Sequence, residues 1–270
     1  MMLYSKKTAL KVSFMYANYH THTVRCGHAA GADEEYVQAA VAAGYKILGM
    51  SDHGPCVFPD GFESGYRVKV AQLDDYFSSF TALREKYADK LELHIGFELE
   101  YYPLHYESML ERIRKTPCEY LILGQHAIYN ERPDFLMSAK PFEDPEMLRR
   151  YVWEVCEALH TGSYTYLAHP EVFNFKGPEE QYLELMRPVC TAARETGTPL
   201  EINFLGIRDH RYYPKEKFWE MAGAEHNEVI FGADAHDPKD VDDAYSREIA
   251  LGWVKKYNLN LVDTVEFRKP

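Results

Sequence analysis

The stretch YHTHTVRCGH, residues 19–28, puts three of the chain's twelve histidines, His20, His22 and His28, within ten positions. In an extended chain, residues two apart point to the same side, so the imidazoles of His20 and His22 can reach one ion. Comparable residues follow a series of short apolar runs. Ser51-Asp52-His53 follows KILGM (46–50), Glu98 follows LHIGF, and Gln125-His126 follows YLILG (120–124). TYLA ends in His169 followed by Pro170, and VIFGA (229–233) leads into Asp234-Ala235-His236, a second same-side pair. Imidazole nitrogen and carboxylate oxygen without sulfur suit zinc, iron or manganese. The set of nine, His20, His22, His28, His53, Glu98, His126, His169, Asp234 and His236, is too large for one ion. It suits two or three, with a carboxylate bridging neighbours. Such ions hold a hydroxide at neutral pH and clamp an anionic substrate. The expected chemistry is therefore hydrolysis of a phosphate ester by a metal-bridging hydroxide, without a serine or cysteine nucleophile.

Taken singly, these residues carry little. A lone His126 or His169 would read as a hydrogen-bonded structural or surface residue. Glu98 has a rival in Glu100, two positions on in FELEYY, and Asp52 could be a ligand or a partner behind His53. The weight lies in coincidence, since six separate run ends carry the same chemistry and two of them an alternating pair. His94, His105, His160, His210 and His226 read as helix, loop or surface residues, with His94 inside a strand-like run.

The elements that must position these residues have their own signature. KILGM, LELHIGF (91–97), YLILG, TYLAH (165–169), PLEINF (199–204) and VIFGA are short, apolar and bounded by turn residues, as buried parallel strands are. PLEINF is the one run whose end delivers neither a histidine nor a carboxylate. Between the runs, residues 32–45, 145–162 and 178–197 predict helices. The first opens on acids and reaches Gly44. The second opens on Pro145 and ends at Gly162. The third carries Pro188 as an expected kink. The alternation predicts an α/β fold with a parallel sheet, closed into a barrel or open. In either, the strand C-termini share one face, where sites are built. The longest irregular stretch, 54–68, could cover such a site.

Composition sets the outer bounds. At 270 residues the chain is within the range of one α/β barrel, so a single domain over 1–270 is expected. A formal charge of −12 argues against a nucleic-acid backbone as partner and leaves room for a small phosphorylated substrate. No apolar run approaches the length of a membrane span. Lys6, Lys7, Thr8 and Lys11 break the apolar character a signal peptide needs. Five scattered cysteines, odd in number and without a CxxC pair, predict a reducing, cytoplasmic setting. The sequence leaves the oligomeric state open.

The motif series, HTHT at 20–23, His28, SDH ending at His53, GFE ending at Glu98, GQH ending at His126, AHP around His169 and GADAH ending at His236, resembles that of the polymerase and histidinol phosphatase (PHP) superfamily. The resemblance spans residues 18–242. It implies a distorted (β/α)7 TIM-like barrel with its metal site at the strand C-termini. It also implies three divalent ions: His20, His22, Glu98 and Asp234 on the first, Glu98 as bridge with His126 and His169 on the second, and His28, His53 and His236 on the third. No ligand position is missing, so an active enzyme is expected. The run PLEINFLGIRDHRYYP (199–214) resembles the histidinol-phosphatase branch, as do ELEYYP (98–103), QHAIYN (125–130) and DAHDPKDVDDAY (234–245). That branch implies a phosphomonoesterase acting on L-histidinol phosphate in histidine biosynthesis, with Arg208 on the substrate phosphate, where a guanidinium matches phosphate oxygens. The chain departs from the branch in having Ala168, Glu171 and Lys176 around the His-Pro motif, and Lys176 stands as the candidate second cation. Tyr129 and Arg25 are further substrate-contact candidates beside ligand positions. The sequence singles out no general acid. Two other readings compete: a phosphoesterase of the same superfamily acting on nucleotides or oligonucleotides, and a non-catalytic metal-binding module. The first lacks a basic tract for a strand, and the second would be an awkward use of nine nitrogen and oxygen ligands.

Overall fold

The computed structural model describes residues 15–270. The apolar runs form strands β1 (Ala17–Asn18), β2 (Ile47–Met50), β3 (Glu92–Leu99), β4 (Tyr120–Leu123), β5 (Tyr166–Leu167), β6 (Leu200–Asn203), β7 (Glu228–Gly232) and β8 (Asn260–Leu261). Each pairs in parallel with the next in chain order. Strands β4 and β6 are buried along their whole length, and β4 accordingly reads as an unbroken apolar run, whereas β6 carries Glu201 and Asn203. Beyond β7, Ala235 bridges in parallel to Thr21 beyond β1, and the His22 amide donates to the Ala235 carbonyl at 2.9 Å. The sheet thus curls until its seventh strand meets its first, giving a distorted TIM-like barrel. The two-residue β8 is an addition to the expected seven units and pairs with the foot of β7.

Helices α1 (Asp33–Ala43), α2 (Leu73–Lys86), α3 (Tyr106–Ile113), α4 (Pro145–His160), α5 (Glu179–Thr196), α6 (Phe204–Arg208), α7 (Glu216–Ala224) and α8 (Ala244–Tyr257) link the strands. Their ends follow local chemistry. α1 carries Asp33, Glu34 and Glu35 in its first turn and stops at Gly44, whose φ of 81° suits glycine. α4 starts where the Asp144 side chain accepts the Glu146 amide and Pro145 needs no partner. Its Leu148, Tyr151, Val152, Val155, Ala158 and Leu159 share one buried stripe, and fully burying a side chain such as Leu148 or Val155 contributes about 1.5–3 kcal/mol. Pro188 lies inside α5, which runs on past it to Thr196 and packs against α4. Among the described residues, no helix is long and apolar enough to cross a membrane, and all five cysteines are free.

Inside the barrel, Tyr19, Tyr120, Ile122, Tyr166 and Ile230 form a small core of their own. The Tyr120 hydroxyl donates towards the carbonyls of Tyr19 (2.8 Å) and Met50 (3.1 Å), using space that a Cβ on Gly49 would occupy. Phe267, from the segment after β8, closes the floor. Its ring stacks on Tyr120 at 4.7 Å and meets Tyr19 edge-on at 5.6 Å. His94 sits at this floor against Phe267 and Glu92, in a structural setting. Aromatic rings therefore fill the barrel axis towards the strand N-termini, and the larger cavity opens at the opposite rim.

Candidate metal centre

All nine expected residues converge at that rim, eight of them carried there by strand ends and His28 by the loop that follows the 3-10 turn at Val24–Cys26. Glu98 lies at the centre, buried, with five imidazoles around its carboxylate. His126 Nε2 (3.4 Å) and His169 Nε2 (2.8 Å) face Oε1. His20 Nε2 (3.5 Å), His22 Nε2 (3.6 Å) and His53 Nδ1 (3.1 Å) face Oε2. The side chain fits because residue 124, at the end of β4, is glycine, and a Cβ there would overlap the carboxylate. Asp234 Oδ1 stands 3.5 Å from His20 Nε2, 3.2 Å from His22 Nε2 and 3.3 Å from His236 Nδ1. His28 Nε2 faces His236 Nε2 at 3.1 Å. His169 and Asp234 hold φ of 28° and 45°, a left-handed backbone that costs such residues on the order of 1–3 kcal/mol and turns both side chains inward.

Behind these groups stands a second row of acids. His20 Nδ1 donates to Glu201 Oε1 at 2.7 Å, His126 Nδ1 to Glu100 Oε1 at 2.7 Å, and His22 Nδ1 lies 3.5 Å from Asp52. Each pairing turns the ring so that Nε2 faces the centre, the usual support for a ligating histidine. Glu100 is thus the partner of Glu98 and not its substitute. Asp52 backs His22, and it also accepts from the Thr23 hydroxyl and the His53 amide. Glu201 comes from β6, whose end carries none of the nine. It supports His20 and also accepts the His169 amide at 3.0 Å. The sequence signal for it is an acid in the middle of an apolar strand.

Burial disfavours a charged His20, but Glu201, Asp234 and Glu98 outweigh it and raise its pKa. Burial likewise opposes charge on His22, and the nearby Asp234 and Asp52 carboxylates bring it up to about 9. Burial and the nearby His22 push His53 and His236 down. Burial would raise Glu98 and Asp234, but the surrounding imidazoles hold both well below the carboxylate range. Several buried atoms here have no hydrogen-bond partner: His20 Nε2, both nitrogens of His22, His53 Nδ1, His169 Nδ1, Glu98 Oε2 and Asp234 Oδ1. Leaving such an atom unpaired costs about 1–3 kcal/mol, and seven in one cluster mark groups built for a ligand. Triplets such as His20-His22-Asp234, His20-Glu98-His169 and His28-His53-His236 have donor atoms within 4.8 Å of one another. The donor set fits borderline divalent cations.

The rim opens into a cavity of about 590 Å³ whose outer wall includes Tyr66, Met137, Val172, Tyr212 and Tyr213. Arg211 is its one lining Lys or Arg among the described residues. Arg208, Lys176, Tyr129 and Arg25, the substrate-contact residues expected from the sequence, lie off this wall. Arg208 ties down the end of β7, reaching Asp243 at 2.8 Å and the Ala233 and Asp234 carbonyls. Lys176 stands 6.0 Å from the Tyr212 ring, Tyr129 lies under Arg150 on the surface, and Arg25 is paired with Asp33 and Asp75. Glu171 is buried and accepts the Lys215 amide at the start of α7. His105, His160, His210 and His226 take no part in the cluster.

A model of the PHP domain family matches residues 18–204. The chain belongs to the PHP domain family. In this PHP domain, Asp234 and His236 lie beyond the matched span and arrive through β7. A probable histidinol-phosphatase of Deinococcus radiodurans is 26% identical over 230 residues, covering 82% of this chain and 86% of that protein. The histidinol-phosphatase of Bacillus subtilis is 21% identical, covering 84% and 95%. The crystal structure of the Lactococcus lactis histidinol phosphate phosphatase, complexed with zinc, L-histidinol and phosphate, has the same fold. Its TM-score is 0.71 at 19% identity, with 94% of this chain and all of that one covered.

Proposed function

We propose that this PHP domain is a metal-dependent phosphoric monoester hydrolase that converts L-histidinol phosphate to L-histidinol and phosphate in cytoplasmic histidine biosynthesis. The observation that carries the reading is Glu98 within reach of five imidazoles, its two oxygens facing two different groups of them, at the mouth of a cavity walled by one arginine and several aromatic rings. The substrate assignment is supported by the names of the relatives. Three divalent ions of zinc, iron or manganese are the proposed cofactors: one on His20, His22, Glu98 and Asp234, one on Glu98, His126 and His169, and one on His28, His53 and His236. When bound, such ions supply an activated water and neutralise charge on phosphoryl oxygens.

The chain's own residues do the rest. Arg211 offers a planar donor fork to the phosphate oxygens, replacing its solvent-exposed contact with Asp209. Met137, Val172, Tyr212 and Tyr213 cover the remainder of the substrate and exclude water, and the tyrosine faces suit a flat ring. The test is turnover of L-histidinol phosphate, p-nitrophenyl phosphate and nucleoside monophosphates by the metal-loaded chain. Differential transition-state binding predicts kcat/KM for L-histidinol phosphate at least ~100-fold above p-nitrophenyl phosphate. Equal handling of the two esters would reject the substrate, and preference for the nucleotides would reassign it.

A further inference from the structure

Loop 54–68 does not lie loosely over the rim. Cys56, Phe58, Ser64, Arg67 and Val68 are buried, while Gly65 and Tyr66 line the cavity. The loop is fastened by Arg67, which is 1% exposed and meets two acids from different strand-end segments. Its Nη2 lies 2.5 Å from Glu100 Oε2, just past β3, and 2.5 Å from Glu131 Oε1, in the segment after β4. Its Nε donates to the same Glu131 oxygen at 2.8 Å, and Nη1 donates to the Gly54 carbonyl at 3.1 Å. The hydroxyls of Tyr66 (2.7 Å) and Tyr102 (3.3 Å) complete the surroundings. Burying three charged groups costs several kcal/mol per ion before their attraction is counted, and apolar packing of the same volume commonly does as well for stability. What apolar packing cannot supply is a carboxylate held in a set position. Glu100 holds the His126 ring at 2.7 Å through Nδ1, and the other ring nitrogen faces Glu98.

We infer that Arg67 is a positioning residue, which acts through Glu100 to fix the His126 ring and so makes loop 54–68 a clasp on one metal position. This rests on the reading of His126 as a ligand given above. The clasp explains why one arginine ties together the segments that follow β2, β3 and β4: all three must hold still for the His126 ring to face Glu98.

The test measures ion content and affinity of the full chain by elemental analysis and chelator competition, for wild type, Glu100→Gln, Arg67→Met and the double variant. Glu100→Gln keeps the shape of the side chain and leaves Arg67 paired with Glu131, so it reports even if Arg67→Met fails to fold. Loss of a supporting partner predicts that one ion per chain weakens ~10- to 100-fold while the others hold. The double variant should add little to either single change, as expected for one network. The inference is overturned if every ion binds the variants as tightly as wild type. It is equally overturned if all ions weaken alike in step with the thermal midpoint of the ion-free chain, which would mark general structural support. A wild-type chain that takes up no divalent ion overturns the proposed function together with this inference, whereas unchanged variants overturn this inference alone.

Discussion

At the scale of single residues, the cavity wall raises the question of which cation meets a phosphate. Arg208 is occupied by Asp243 and by backbone carbonyls at the end of β7, in contacts that brace the turn carrying Asp234. Arg211, three residues on, presents its guanidinium at the wall with Tyr213 at 3.4 Å and an exposed Asp209 at 3.0 Å. An exposed pair of that kind contributes little, so exchange for a phosphate is easy. Arg211→Met should raise both KM for the phosphate ester and the inhibition constant of inorganic phosphate by ~10-fold or more, the scale of one charge-assisted contact. Unchanged phosphate inhibition, at unchanged ion content, would remove Arg211 from the binding site.

At the scale of elements, α4 and the segment after β4 act as a unit. Glu154, buried on α4, accepts the Tyr129 amide at 2.8 Å, Arg150 Nε at 2.8 Å and Gln125 Nε2 at 3.0 Å. It thereby holds both flanks of His126. Burial pushes the Glu154 carboxyl up to about 7 from an ordinary value of 4.5. Between those values the folded chain keeps a proton that the unfolded chain has lost. The stability from this group therefore falls as pH rises through that window and is level above it. Glu154→Gln, always neutral, should gain on wild type by up to ~3 kcal/mol between pH 4.5 and 7 in denaturant titrations, whatever its constant offset. A difference that does not change with pH would refute the shift.

The same scale separates what the sequence discloses from what it hides. The strands are legible because both their faces are covered, which leaves runs such as YLIL without polar interruptions. Helices α1, α4 and α5 are legible from acids, prolines and glycines at their ends. α2 is harder to delimit, since it continues from a short 3-10 turn at Val70–Gln72 and its first residue follows Gln72, which makes no side-chain cap. Eight of the nine rim residues stand out because strand ends are their address, and His28 because it closely follows His20 and His22. Glu201, Arg67 and Arg211 do not, because their roles depend on which side chain they meet across strands and loops, and spacing along the chain carries no record of that.

At the scale of the whole molecule, the barrel has a filled floor and a working rim. Phe267 packs among Tyr19, Tyr120 and His94 at the floor, far along the strands from Glu98. Phe267→Ala should lower unfolding free energy by ~2 kcal/mol, a partial cavity cost. It should leave ion affinity and KM as they are, and a parallel fall in ion affinity would show that floor and rim are not independent. The seam that joins the ends of β1 and β7 also sets when the rim is completed during folding. Asp234, which sits beside His20 and His22, lies some two hundred residues further along the chain. Until the end of β7 docks beside the end of β1, the two imidazoles lack that carboxylate. On the proposed ion assignment, the full donor set of the first ion would exist only once the barrel has closed.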